Sequence, residues 1–193
     1  YSIQIINKSD YEAKPKCEHF NWCGGCTIQQ LDYQYQLYYK QKQVSEILNK
    51  IGKTQDFKIN NIIGCDKIFF YRNKMEYTFS NNPWYIADES YDDVVLGLHV
   101  PKRFDKILNI DKCYINHESF NNILNIAKQT SNDEGMIAYD VIKHTGFLRY
   151  LVLRIGVHTN ELMINIVSSG FNKKLMEKFK KQILIKNPNT TSI

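Results

Sequence analysis

Apolar and polar residues along the chain follow two different periods, and the changes from one to the other divide it into segments. Apolar or aromatic residues recur at Ile28, Leu31, Tyr35, Tyr38, Val44, Leu48 and Ile51, the spacing of one helical face, and Gly52 ends the run. Thr27 stands where a cap belongs, with Gln30 three residues on as its capping-box partner. A helix over 27–51 is therefore predicted. Residues 69–80 alternate instead, with Tyr71, Asn73, Met75, Tyr77 and Phe79 to one side and Arg72, Lys74, Glu76 and Thr78 to the other, which predicts a strand. Val94 to Val100 reads as another strand, ended by Pro101. Asn116 opens a predicted helix to about Thr130, with Phe120, Ile123, Leu124 and Ala127 on one face. Residues 146–155 and 161–168 pair as a hairpin, Asn172 caps a last helix, and a weak alternation over 1–6 predicts a short strand. The sum is an α+β fold, a mostly antiparallel sheet with flanking helices.

Composition narrows the class without choosing a function. At 43% hydrophobic residues the chain has enough apolar material for a core, and no run approaches the ~20 apolar residues that a membrane-spanning helix needs. The net charge of +5 permits a nucleic-acid partner without demanding one. It is held down by an acidic loop at 81–93, where Asp88, Glu89, Asp92 and Asp93 cluster. The basic residues of the 69–80 strand suit backbone contacts with RNA, and equally suit a plain solvated sheet face. Tyr33, Tyr35, Tyr38 and Tyr39 beside Lys40 allow the same two readings, and the lysines of the last helix read as solubilising. The chain has no Gly-x-Gly-x-x-Gly turn, no phosphate-cradling loop and no nucleophile elbow, and His144 and His158 lack sequence partners for acid–base work.

The cysteines carry more. Cys17, Cys23 and Cys26 fall in the run Cys17-x5-Cys23-Gly24-Gly25-Cys26, with Cys65 and Cys113 further on. An odd count without a secretory signal argues against a disulfide framework. The spacing lets three sulfurs converge, and the glycines free backbone N–H groups to face an anionic centre. Cys113 or Cys65 supplies a fourth thiolate. Three local ligands and one distant one suit a [4Fe–4S] cluster, whereas His19 in place of a cysteine would suit zinc. Phe20 and Trp22 are placed to shield such a centre or to serve as ordinary core aromatics.

These motifs carry a resemblance. Cys17-x5-Cys23-Gly-Gly-Cys26 followed by Gln29-Gln30-Leu31-x-Tyr33-x-x-Gln36-Leu37-x-x-Lys40 resembles the cluster-bearing RNA uridine C5-methyltransferases, typified by the 23S ribosomal RNA (uracil-5-)-methyltransferases. Tyr71-Arg72-Asn73-Lys74-Met75-Glu76-Tyr77, Leu96-Gly97-Leu98-His99, Phe104 to Cys113, Gly146-Phe147-Leu148-Arg149 and Glu161-Leu162-Met163-Ile164-Asn165 match in order. The resemblance implies a [4Fe–4S] cluster on Cys17, Cys23, Cys26 and Cys113, leaves Cys65 without a ligand role, and places Arg72, Lys74, Arg149 and Lys40 in RNA-facing motifs. It implies that 1–13 are the remnant of an N-terminal TRAM-type β-barrel with its linker. On the same resemblance 14–193 are the central iron–sulfur and RNA-binding domain, and 81–93 is an insertion. The methyltransferase domain, with its S-adenosylmethionine site and its cysteine nucleophile, is expected outside this chain, so the chain alone is expected to be inactive. The cluster is expected to pin the loop before the first helix to the segment around Cys113. A cytoplasmic monomer with ribosomal RNA as partner and no membrane follows. The rival readings are a free-standing zinc-stapled nucleic-acid-binding module and an electron carrier.

Overall fold

The computed structural model describes residues 7, 9–54, 57–86 and 94–193. It contains two compact units, Tyr1–Phe20 with Cys26–Ile68 and Asn21–Gly25 with Phe69–Ile193. The strand expected at 1–6 and the acidic centre of the 81–93 loop lie outside the described residues.

The first unit is built on one helix, α1 (Tyr33–Lys50). It starts later than the 27–51 expectation, because Asp32 rather than Thr27 is the cap: its carboxylate accepts from the Gln34 N–H at 2.9 Å. Residues 28–32 are held out of the helix. The Gln36 side chain donates to the carbonyls of Ile28 and Leu31 (3.2 and 2.8 Å), and the Asp32 N–H is taken by the Tyr11 carbonyl at 2.9 Å. The apolar stripe leaves no residue of α1 buried. Its tyrosines tie down the unit's loops instead: Tyr35 stacks on Tyr11, and the Tyr33 hydroxyl accepts from the Cys65 N–H at 2.7 Å.

The described residues of the second unit form a seven-stranded mixed sheet with two helices. Its strands are β1 (Lys74–Ser80), β2 (Pro83–Trp84), β3 (Val95–His99), β4 (Ile107–Asn109), β5 (Leu148–Ile155), β6 (Leu162–Ser168) and β7 (Thr190–Ser192), in the order β2-β4-β3-β1-β5-β6-β7. The four central pairings are antiparallel and the two outermost, β2–β4 and β6–β7, are parallel. The expected hairpin is present as β5–β6. The alternation read over 69–80 is real only from Lys74: Met75, Tyr77 and Phe79 are buried, whereas Tyr71 is 57% exposed. Before Lys74 the chain bonds elsewhere, with the Arg72 N–H on the Ile115 carbonyl and the His117 N–H on the Arg72 carbonyl, each at 2.8 Å.

Two helices pack together beside this sheet, α2 (Ser119–Asp133) and α3 (Lys173–Lys186). Phe120, Ile123, Leu124 and Ala127 of α2 are fully buried, as are Phe179 and Ile183 of α3. Asn172 caps α3 as expected, accepting from the Leu175 N–H at 3.2 Å. Lys178 of α3 pairs with Glu134 just past α2, so that lysine does more than solubilise. Asn116 does not open α2. It is fully buried and donates from Nδ2 to the Tyr77 hydroxyl at 2.6 Å, and α2 starts after Glu118.

Gly97 on β3 allows a close approach that no other residue tolerates, since a Cβ there would overlap the Leu108 carbonyl of β4. Gly97→Ala is expected to lower unfolding stability by about 1–3 kcal/mol in urea titration. Asn116→Ala should cost about 1–3 kcal/mol, because it strands the buried Tyr77 hydroxyl. Adding Tyr77→Phe should then recover part of that loss; a double variant as unstable as the sum of the singles would show that the bond is not the source.

Candidate cysteine centre and nucleic-acid interface

Cys17 and Cys26 belong to the first unit, Cys23 and Cys113 to the second, and each sulfur-bearing segment is fixed locally. Cys17 is half-buried; its N–H donates to the Gln29 side chain at 3.2 Å and its carbonyl accepts from the Phe20 N–H at 3.2 Å. Gln29 is thus an anchor of the cysteine loop rather than part of a helix. In the second unit the Gly25 N–H points at Cys23 Sγ at 3.3 Å, as expected for a glycine facing an anionic sulfur. The Gly24 N–H is used otherwise, bonding the His99 carbonyl at the end of β3 at 3.1 Å. Phe20 is buried, but Trp22 is 42% exposed and lies tilted against Trp84 at 6.4 Å.

Cys113 is buried and its backbone is clamped by one side chain. Asn121 of α2 accepts from the Cys113 N–H at 2.9 Å and donates to the Cys113 carbonyl at 3.1 Å. Asn116 donates to the same Asn121 oxygen at 3.3 Å, which joins the clamp to Tyr77. Burial raises the Tyr77 pKa well above its ordinary value, and the nearby Cys113 and, more weakly, Cys23 raise it further. Cys23 and Cys113 therefore both lie within electrostatic reach of one neutral phenol. Asn121 went unnoticed in the sequence and Asn116 was read only as the start of a helix; an Asn in a helix pattern signals nothing until its partner is known.

Among the described residues no group of three or more His, Cys, Asp or Glu side chains is drawn together in metal-holding geometry. The donor chemistry fits a thiolate-bound metal all the same: an N–H already directed at one sulfur, and a second sulfur buried on a doubly anchored backbone. Cys65 is exposed on the α1 unit, with its Sγ 3.1 Å from the Lys67 carbonyl. His19 has its Nε2 buried without a hydrogen bond, 3.9 Å from a Glu18 carboxylate oxygen.

The expected RNA-facing residues are divided between the two units. Lys40 is exposed on α1 of the first unit. In the second, Arg72 and Lys74 are exposed, and the Arg72 guanidinium lies 3.7 Å from Met75 Sδ. Arg149 is half-buried over the Tyr139 ring at 4.5 Å and near the Tyr150 ring at 5.6 Å, with Nε buried and without a bonding partner. Directly across from Lys74 stands Arg154 of β5, a cation that the sequence reading did not single out. A cleft of about 350 Å³ opens elsewhere on the second unit, lined by Thr78, His99, Phe104, Asp105, Tyr139 and Tyr150 among others. No described helix is long and apolar enough to cross a membrane.

No family model matches the chain. It is 32% identical over 94% of its length to an uncharacterized RNA methyltransferase of Chlorobaculum tepidum, and 38% identical over 93% to one of Bacteroides thetaiotaomicron. Those stretches are 39% and 40% of the relatives' own lengths. The crystal structure of Pyrococcus abyssi tRNA (uracil-54, C5)-methyltransferase in complex with S-adenosyl-L-homocysteine superposes with a TM-score of 0.64 at 27% identity, over 91% of this chain and 37% of that one. Along nearly its whole length, then, the chain is related to RNA methyltransferases, and it spans about two-fifths of the length of the relatives it matches.

Proposed function

We propose that the chain is the central, RNA-binding and [4Fe–4S]-carrying region of an S-adenosylmethionine-dependent RNA uridine C5-methyltransferase. The observation that carries this is the run of 91–94% of the chain matched to RNA methyltransferases, one of them acting on a uracil C5. Cys17, Cys23, Cys26 and Cys113 are the ligands on this reading, supported by their spacing, the N–H on Cys23 and the Asn121 clamp on Cys113. The cluster would supply cross-linking rather than electrons, because methyl transfer from a sulfonium to a uracil carbon involves no net redox change. The named substrate of the Pyrococcus protein favours transfer RNA, and the resemblance to the 23S enzymes favours ribosomal RNA; ribosomal RNA is the target we propose. S-adenosylmethionine is assigned no residue of this chain. Uracil C5 becomes nucleophilic only after a thiolate adds at C6, and none of the five cysteines is proposed for that step.

Zinc is the second reading, favoured by the unbonded His19 nitrogen. Anaerobic purification with iron, sulfide and zinc analysis separates the two. Iron and sulfide in equal amount with visible charge-transfer absorption are expected; stoichiometric zinc without iron would overturn the cluster. Cys113→Ser should lower iron content and thermal midpoint together, because binding energy at such a site is folding energy. Lost iron with an unmoved midpoint would remove the structural role. The chain by itself, given radiolabelled S-adenosylmethionine and unmodified ribosomal RNA, is expected to transfer no methyl group, and incorporation above a protein-free control would refute the division of labour.

A further inference from the structure

One face of the central sheet carries Lys74, Glu76 and Thr78 of β1, alternating with the buried Met75, Tyr77 and Phe79. Register extends it. Thr78 stands opposite Tyr150 and Gly97, Glu76 opposite Val152, and Lys74 opposite Arg154. Lys74, Glu76, His99 and Arg154 on this face are exposed.

At one end of the face lies the cleft of about 350 Å³, whose walls include the rings of His99, Phe104, Tyr139 and Tyr150. Phe104 is 73% exposed on its rim, with nothing in the core depending on it. The carboxylates in these walls already have partners, a guanidinium on Asp105 and backbone N–H groups with the Lys143 ammonium at 3.9 Å on Asp140. Asp105 takes a two-pronged bond from Arg103 at 2.9 and 2.8 Å, which, more than any other contact, holds its pKa down to about 2. Asp140 accepts the N–H groups of Lys143 and Ile142, each at 2.9 Å, which lowers its pKa as well. Arg149 adds an unpaired-Nε guanidinium behind Tyr139 and Tyr150.

Four residues along β1, on the order of 13 Å away at the rise of a strand, is a second recess of about 350 Å³, lined by Asn73, Lys74, Arg154, Gly156, Glu161 and Met163. Like charges set directly opposite in an antiparallel pair repel. Among the described residues neither Lys74 nor Arg154 has an ion pair, so the pair is left asking for an anion, with Glu161 at its border. Glu76, midway between the two recesses, disfavours a phosphate there and keeps the ring-lined and cationic sites distinct.

We propose that a few nucleotides of single-stranded RNA lie along β1 and β5, one unstacked base entering the ring-lined cleft against Phe104 and a neighbouring phosphate bridging Lys74 and Arg154. Rings in a recess select an unpaired strand, since a duplex hides its base faces while a splayed single strand offers them. This inference rests on the RNA-binding reading above and adds to it the strand state, the site and two residues, Phe104 and Arg154.

Fluorescence anisotropy of the full chain with a labelled oligouridylate, and with a duplex of equal length, tests it. The single strand should bind tighter. Phe104→Ala should weaken it about tenfold, as the loss of one stacked base predicts, while Phe104→Trp retains it. Lys74→Ala with Arg154→Ala should flatten the dependence of log affinity on log salt by about 0.7, one phosphate on a single strand. Photocrosslinking of the wild-type chain to a 4-thiouridine oligomer should label peptides containing Phe104, Tyr139 or Tyr150, a result that needs no variant to fold. Tight binding untouched by Phe104→Ala, crosslinks confined to other peptides, or preference for the duplex would overturn the site and leave the RNA-binding reading standing. Absence of binding to either RNA would overturn both.

Discussion

The burial of Tyr77 constrains the second unit more than any other single contact. β1 is the middle strand of the seven, and its alternation drives Met75, Tyr77 and Phe79 into the interior. A buried phenol needs a bonding partner, and Asn116 provides it from a fully buried position. That bond draws the segment before α2 to the central strand, and Asn121, joined to Asn116, clamps the backbone of Cys113. The Cys113 segment is thus held through the same contacts that fill the core. The face of β1 turned away from the core is left to Lys74, Glu76 and Thr78, where charge and exposure are tolerated.

The cysteine loop obeys a different constraint, that of backbone groups needing somewhere to go. Its two adjacent glycines are not equivalent. Gly25 turns its N–H on a sulfur, whereas Gly24 gives its N–H to the end of β3 and so docks the loop segment on the sheet of its own unit. On the other side of the loop Gln29 receives the Cys17 N–H. A glycine pair between cysteines therefore serves anchoring as well as sulfur contact, a division that spacing alone does not reveal.

The elements with a long local period were legible in the sequence. The β5–β6 hairpin, the buried stripe of α2 and the Asn172 cap of α3 all stand where their patterns put them. The start of α1 was misread because Thr27 and Asp32 are both plausible caps, and the choice between them was made by Tyr11 and Gln36, outside the capping motif. β2, β4 and β7 have two or three residues each, too short for alternation to register, and they form by adding to edges that already exist. The candidate site was legible in part: the cysteine spacing and Lys74 were visible, but Arg154, Asn121 and the ring-lined cleft were not.

The sequence by itself determined which residues alternate, where three cysteines crowd, and the resemblance that runs through the ordered motifs. Tertiary structure decided which of these meet. Lys74 and Arg154 are eighty positions apart and face one another only because β1 and β5 pair in that register; Phe104 between β3 and β4, Tyr139 ahead of β5 and Tyr150 on it line one cleft only once those elements are assembled. Periodicity is a property of neighbours along the chain, whereas opposition across a sheet depends on which strands adjoin and how they are aligned, and that is set by the packing of the whole core.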